Sequence, residues 1–181
     1  ANISEEIDLD FDIEEVFIIL AMHIQEEHHD GVISKNDATK VISKYFEEEM
    51  HYHSPQAKKL SKDILDIGAN KIGIIIEKSP TEIAFMHRQF QEFMSAKYLM
   101  NFDSDVSQGK IDAYASLLQW NQVITFYFRL IPSPKKKYFK QHFDCIKISE
   151  GNELHYVDFL KASIALTLSN APVDLSKNYL S

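Results

Sequence analysis

The spacing of apolar residues changes abruptly near residue 71. From Ile13 to Leu65 apolar residues recur at steps of three and four, which is typical of amphipathic helices. Residues 71–87 instead hold a β-branched run, a Ser-Pro turn and an alternating run, which predict an antiparallel hairpin. Because a two-stranded hairpin is too small to be stable alone, this one must pack against helices.

Cap residues divide the first stretch into three helices. Gly31 fits the left-handed position after the first helix. Ser34 is predicted to cap the second helix, with Asp37 completing an acidic capping box. Ser54 is predicted to cap the third, with Pro55 at its first helical position.

Three helices followed by a hairpin is the element order of a winged-helix domain, so the sequence predicts a mainly α fold of this type. Val32 and Ile33 fit a short strand after the first helix. The hairpin is followed by a predicted helix over 88–100, where apolar residues return to helical spacing.

A polar stretch over 101–109 is interpreted as a connector. We therefore expect a winged-helix-like domain over 1–104 and a C-terminal helical segment over 105–181. The helices expected in that segment lie near 110–131, 134–149 and 152–169, with breaks at prolines and at a glycine.

The chain is acidic, with a formal charge of −8 and a pI of about 5.4. That balance disfavours DNA as a partner, although a local basic patch would still be compatible with it. The single cysteine, Cys145, excludes an intramolecular disulfide and fits a reducing, cytoplasmic setting. No apolar run reaches the roughly 18 residues that predict a transmembrane helix. Since the chain begins at Ala1, we expect it to be a piece of a longer protein.

No catalytic or metal site is predicted. The only Gly-Lys pair, at Gly109, lacks the upstream glycine and the downstream hydroxyl of a phosphate-binding loop. Cys145 has no evident activating base. Five histidines in the first third are interpreted as residues at helix ends, where imidazolium favours the helix dipole, rather than as metal ligands: His23, His28, His29, His51 and His53.

The segment from Gly73 to Leu99 resembles the winged-helix part of NACHT-type signalling NTPases of the STAND class. The matching positions are Phe85, His87, Phe90, Gln91, Glu92, Phe93, Ser95 and Ala96. The motif covers about 30 residues, and the compatible architecture extends over 13–100. Two positions depart from the pattern: Gln89 stands where Ser or Thr is common, and Ser95 replaces a common Ala.

The resemblance implies a regulatory role in signalling or defence. In that family the histidine at the His87 position reaches the β-phosphate of ADP in the resting state, and the winged helix latches onto the nucleotide-binding core. The resemblance thus implies ADP or ATP with Mg²⁺ in the parent protein, and no cofactor in this chain itself. The implied partner is the nucleotide-binding core of the same parent chain, with further protein domains as additional candidates.

The residues alone leave other roles open. From the residues alone, the favoured role of His87 is a structural histidine that caps or packs at the strand–helix junction. Phe90 and Phe93 are expected to anchor the helix to the hairpin, while Gln91 and Glu92 would either hold the helix start or contact neighbouring domains. The aromatic cluster around Trp120 favours packing between helices over a binding surface.

Two other functions compete with the latch. A free-standing DNA-binding winged helix would need a basic third helix, but the lysines there are offset by Asp63 and Asp66. A non-catalytic helical interaction module would suit residues 110–170 even beside a latch.

Overall fold

The computed structural model describes residues 13–114, 117–132 and 134–135. Helix α1 (Ile13–Glu27) is buried on most of its surface, including Phe17, Leu20 and Ile24. It ends where predicted, because the Gly31 amide donates to the His28 carbonyl at 2.9 Å and Gly31 takes a left-handed φ of 78°. The first predicted helix is therefore the central element of the winged-helix core.

The sheet has three antiparallel strands in the order β1-β3-β2. Strand β1 (Val32–Ser34) pairs with β3 (Glu82–Phe85), which also pairs with β2 (Ile75–Ser79). The predicted hairpin is confirmed, and so is the short strand at Val32 and Ile33. The pattern of residues did not predict that β1 joins the hairpin to make one sheet.

Helices α2 (Lys35–Glu48) and α3 (Ser54–Ile67) pack closely on each other. The predicted cap of α2 is confirmed: the Ser34 hydroxyl accepts the Asp37 amide at 3.0 Å. Between the two helices, the Ser43 and Ser61 hydroxyls lie 3.0 Å apart in the interior. Small hydroxyl side chains thus let the two helices approach without leaving a polar atom alone.

The predicted cap of α3 is wrong by one residue. His53 is the N-cap and its side chain makes no capping hydrogen bond, while Ser54 is the first helical residue. The Ala57 amide donates to the His53 carbonyl at 2.9 Å, which draws Ser54 into the helix. Pro55 still lies in the first turn, where a missing N–H breaks no helical hydrogen bond.

A π-helical turn (Gly68–Ile72) follows α3 and corrects the predicted start of the hairpin. Lys71 and Ile72 were predicted in the strand, but the chain leaves the turn only at Gly73, whose φ is 74°, and β2 begins at Ile75. The second strand of the hairpin, β3, was predicted to continue to residue 87 but ends at Phe85. β-branched composition predicted the strand but could not place its first residue.

Helix α4 (Arg88–Met100) has the predicted bounds. The polar stretch that follows is mostly helical, because α5 (Ser104–Tyr114) covers most of the predicted connector. The buried Ser107 hydroxyl donates to the Leu99 carbonyl at 3.0 Å, so a polar side chain here marks an internal contact.

A 3₁₀ turn (Leu118–Trp120) leads into α6 (Asn121–Leu130). The Tyr114 and Trp120 rings stack 3.7 Å apart, and Trp120, Tyr127 and Phe128 are buried. The aromatic cluster therefore packs between helices, as expected. The helices predicted over 134–149 and 152–169, like Cys145, fall outside the described residues apart from 134–135.

The chain divides into two compact units between Met94 and Ser95. The domain boundary predicted at residue 104 stays a prediction. In the part of the chain that the structure describes, no helix is long and apolar enough to cross a membrane.

Candidate functional site

His87 lies in a two-residue bend between β3 and α4, and its side chain is exposed. Its carbonyl accepts the amides of Phe90 at 3.0 Å and Gln91 at 3.3 Å. His87 is therefore the residue that precedes the first turn of α4. The first two amides of α4, those of Arg88 and Gln89, precede the helical hydrogen bonds, and the N-terminal end of a helix carries partial positive charge. The imidazole thus lies where an anion would be favoured.

The strand side of this junction is anchored in the core. The Met86 amide donates to the Ile74 carbonyl at 2.9 Å, which extends the hairpin pairing beyond β3. Phe85 is 5% exposed, and its ring lies edge-on to that of Phe17 with centroids 6.5 Å apart. His87 is thus exposed on a backbone that is held from one side by the sheet.

The helix side is anchored by a buried amide pair. The Gln91 side chain donates to the Gln25 side-chain oxygen at 3.0 Å, and both residues are at most 1% exposed. Gln91 therefore binds α4 to α1. Of the two roles that the sequence left open for Gln91, this contact favours holding the start of the helix. Phe90 meets its expected role in part: its ring lies 6.4 Å from that of Phe85, yet 38% of the residue is exposed.

Arg88 and Glu92 form an internal pair on the first turns of α4. The Arg88 Nε lies 3.6 Å from a Glu92 carboxylate oxygen, and one Arg88 terminal nitrogen donates to the His29 carbonyl at 3.4 Å. Burial raises the pKa of Glu92, and the nearby Arg88 opposes that rise. The guanidinium is therefore engaged with the protein, whereas the His87 side chain is exposed.

Exposed apolar residues surround the junction. Met86 is 47% exposed and Ile72 is 54% exposed. The Met86 methyl lies 3.7 Å from the position of a Cβ on Gly73, the residue that follows Ile72 in the chain. We call Ile72, Met86 and Phe90 the apolar flank of His87. Exposed apolar side chains grouped on a fixed backbone are typical of a docking surface.

His87 was predicted as a site residue from the sequence, whereas the exposed apolar residues Met86 and Ile72 were not. Strand alternation was a weak signal for Met86, because it follows the buried Phe85, yet Ala84 on the other side of Phe85 is buried as well. Nothing local signalled Ile72, whose exposure follows from the π-helical turn.

Two of the histidines that the sequence singled out form a ring pair. The rings of His23 and His28 lie 5.7 Å apart at the end of α1. Burial lowers the pKa of His23, and the charge of His28 lowers it further. Among the described residues, no group of three histidine, cysteine or acidic side chains is arranged to hold a metal ion.

Comparison with known families agrees with this geometry. The profile of winged helix-turn-helix domains C-terminal to NACHT matches residues 9–99, about half of the chain. No curated protein and no solved structure matches the chain. The matched range contains the sheet, the helices α1 to α3 and the His87 junction, and it ends within α4. The chain therefore belongs to the family of winged helix-turn-helix domains that lie C-terminal to NACHT domains.

Proposed function

We propose that this chain is the regulatory winged-helix segment of a STAND NTPase and that His87 contacts the β-phosphate of ADP in its resting state. The observation that carries the proposal is an exposed imidazole immediately before the first turn of α4. The family implies a NACHT domain on the N-terminal side in the same chain, and that domain is the proposed partner. The segment itself is non-catalytic, and the core would bind ADP or ATP with Mg²⁺.

Two features favour a phosphate at this position. An imidazole donor next to the amides of Arg88 and Gln89, which precede the first helical hydrogen bonds of α4, offers several hydrogen bonds to one anion. The neighbouring Arg88 is already paired with Glu92, so the proposed contact needs no rearrangement of that pair. A hydrogen bond to a charged group contributes about 1.5–3 kcal/mol, which corresponds to roughly ten- to hundredfold in affinity.

The proposed switch follows from linkage. If the winged helix contacts the nucleotide only in the ADP-bound arrangement, then ADP favours the docked state and docking tightens ADP binding by the same factor. The apolar flank of His87 would be covered in the docked state. Exchange for ATP would release the segment as a rigid body and relay the nucleotide state in signalling or defence.

The test uses the longer protein that contains the NACHT domain and this chain. We would quantify the adenine nucleotide that co-purifies with wild type, His87→Ala and His53→Ala. His53 is a matched control, because it is also exposed and its side chain makes no capping hydrogen bond. We expect ADP in wild type and His53→Ala and its loss in His87→Ala. Equal ADP in folded His87→Ala would return this residue to a structural role.

A further inference from the structure

The winged-helix unit also carries a concave surface that His87 does not line. A groove of about 440 Å³ runs between the first turns of α2, the outer face of α3 and the hairpin. Its apolar lining comes from Leu65, Ala69 and Ile83. A cavity of this volume accommodates a small ligand or a few side chains of a peptide.

The carboxylates of this groove already have partners. Glu77 pairs with Lys35 at 2.5 Å, so those two charges offset each other. Asp66 accepts a hydrogen bond from Asn70 at 2.6 Å. The Asn70 amide is neutral and leaves the charge of Asp66 in place, so three lysines and two carboxylates give the groove lining a net charge of +1.

Two lysines of the groove remain without an acidic partner. Lys58 and Lys62 both line it and are exposed. They lie four residues apart, so they project from one face of α3. In the part of the chain that the structure describes, neither lysine forms an ion pair. The groove thus combines an apolar lining with a small net positive charge, and Lys58 and Lys62 form its basic rim.

We propose that this groove binds an acidic peptide segment of a partner protein, one that carries carboxylates on both sides of an apolar residue. The carboxylates would meet Lys58 and Lys62, and the apolar side chain would lie against Leu65, Ala69 and Ile83. Charge complementarity selects the acidic residues, and the lining selects the apolar one.

The same observations disfavour nucleic acid in the groove. Asp66 and Glu77 line it together with the lysines, so a phosphate backbone would meet negative charge there. A peptide avoids this because its carboxylates are discrete and can be spaced to match one rim. The chain also carries a net charge of −8, which repels a polyanion more strongly than a short peptide.

The experiment uses the 181-residue chain and a short fluorescein-labelled peptide of alternating Asp and Leu. Binding would be followed by fluorescence polarisation at low salt for wild type, Lys62→Glu and Lys59→Glu. Lys59 gives a matched control, because it is exposed on the same helix but does not line the groove. We expect Lys62→Glu to weaken binding roughly five- to tenfold and Lys59→Glu by less than about twofold.

Amide chemical shifts give an independent readout of position. Bound peptide should shift the resonances of Thr39 and Ala69, which line the groove, in wild type but not in Lys62→Glu. The proposal is overturned if both glutamate variants weaken binding equally, or if wild type does not bind the peptide. It is equally overturned if a short DNA duplex binds instead and is lost in Lys62→Glu.

Discussion

At the residue scale, two glycines illustrate opposite backbone constraints. Gly31 has a φ of 78°, and a Cβ there would lie 2.6 Å from an Arg88 terminal nitrogen. Gly109 lies inside α5, and a Cβ there would meet nothing within 4 Å. The same substitution should therefore act in opposite directions at the two positions.

We expect Gly31→Ala to lower the free energy of unfolding by about 1–2 kcal/mol, because an L residue is strained in the left-handed region. Because the long Arg88 side chain can move aside, most of the expected loss of stability comes from backbone strain at residue 31. Gly109→Ala should raise that free energy by up to about 1 kcal/mol, since alanine favours helix. Urea denaturation of both variants measures these changes, and shifts of the same sign would contradict the assignment.

His23 makes stability depend on pH. Its folded-state pKa is lowered from 6.5, first by burial and then by the charge of His28. The unfolded chain therefore takes up the proton first as the pH falls through 6.5, and this lowers the free energy of unfolding. We expect the midpoint of urea unfolding to fall on acidification below pH 6.5 and His23→Gln to flatten that dependence. An unchanged slope in His23→Gln would show that other groups are responsible.

At the element scale, the sequence predicted the features that depend on residues close together in the chain. The Ser34 cap depends on Asp37, only three residues away, and both the cap and the hairpin turn were predicted from sequence. The pairing of Val32 with Ala84 joins residues far apart in the chain and could not be read from either segment. α5 was missed for a similar reason, because the role of its polar Ser107 depends on burial against Leu99.

In the candidate site, too, the sequence predicted residues but not their contacts with distant parts of the chain. His87 and Gln91 were singled out by a motif, which records their types but not their partners. That Gln91 meets Gln25 requires α1 and α4 to pack together, 66 residues apart. The exposure of Ile72 depends on a π-helical turn that composition does not predict.

The contact between α1 and α4 can be tested through Gln91. We expect Gln91→Ala to lower the free energy of unfolding by about 1–3 kcal/mol, because it removes a buried hydrogen bond to Gln25. Gln89→Ala is the matched control, since Gln89 is exposed on the same turn, and its effect should stay within about 0.5 kcal/mol. A double-mutant cycle with Gln25→Ala should give a coupling of about 1 kcal/mol. Additive single effects would mean that the two amides do not interact.

At the scale of the whole molecule, the winged-helix unit presents two surfaces with different chemistry. The His87 junction combines an exposed imidazole, a helix N-terminus and the apolar flank, which suits a domain that carries a bound anion. The lysine-rimmed groove suits an acidic segment of another protein. Because the two surfaces share no residue, variants in one should leave the other intact, and each proposal can fail alone.

The central claim is that His87 recognises a phosphate of ADP that AMP lacks. We would measure the affinities of ADP and AMP for the longer NACHT-containing protein, as wild type and as His87→Ala. The account predicts that the variant binds ADP about tenfold or more weakly and AMP as wild type does. Equal weakening for both nucleotides, or unchanged ADP affinity, would contradict a phosphate contact and leave His87 as a residue that only shapes the strand–helix junction.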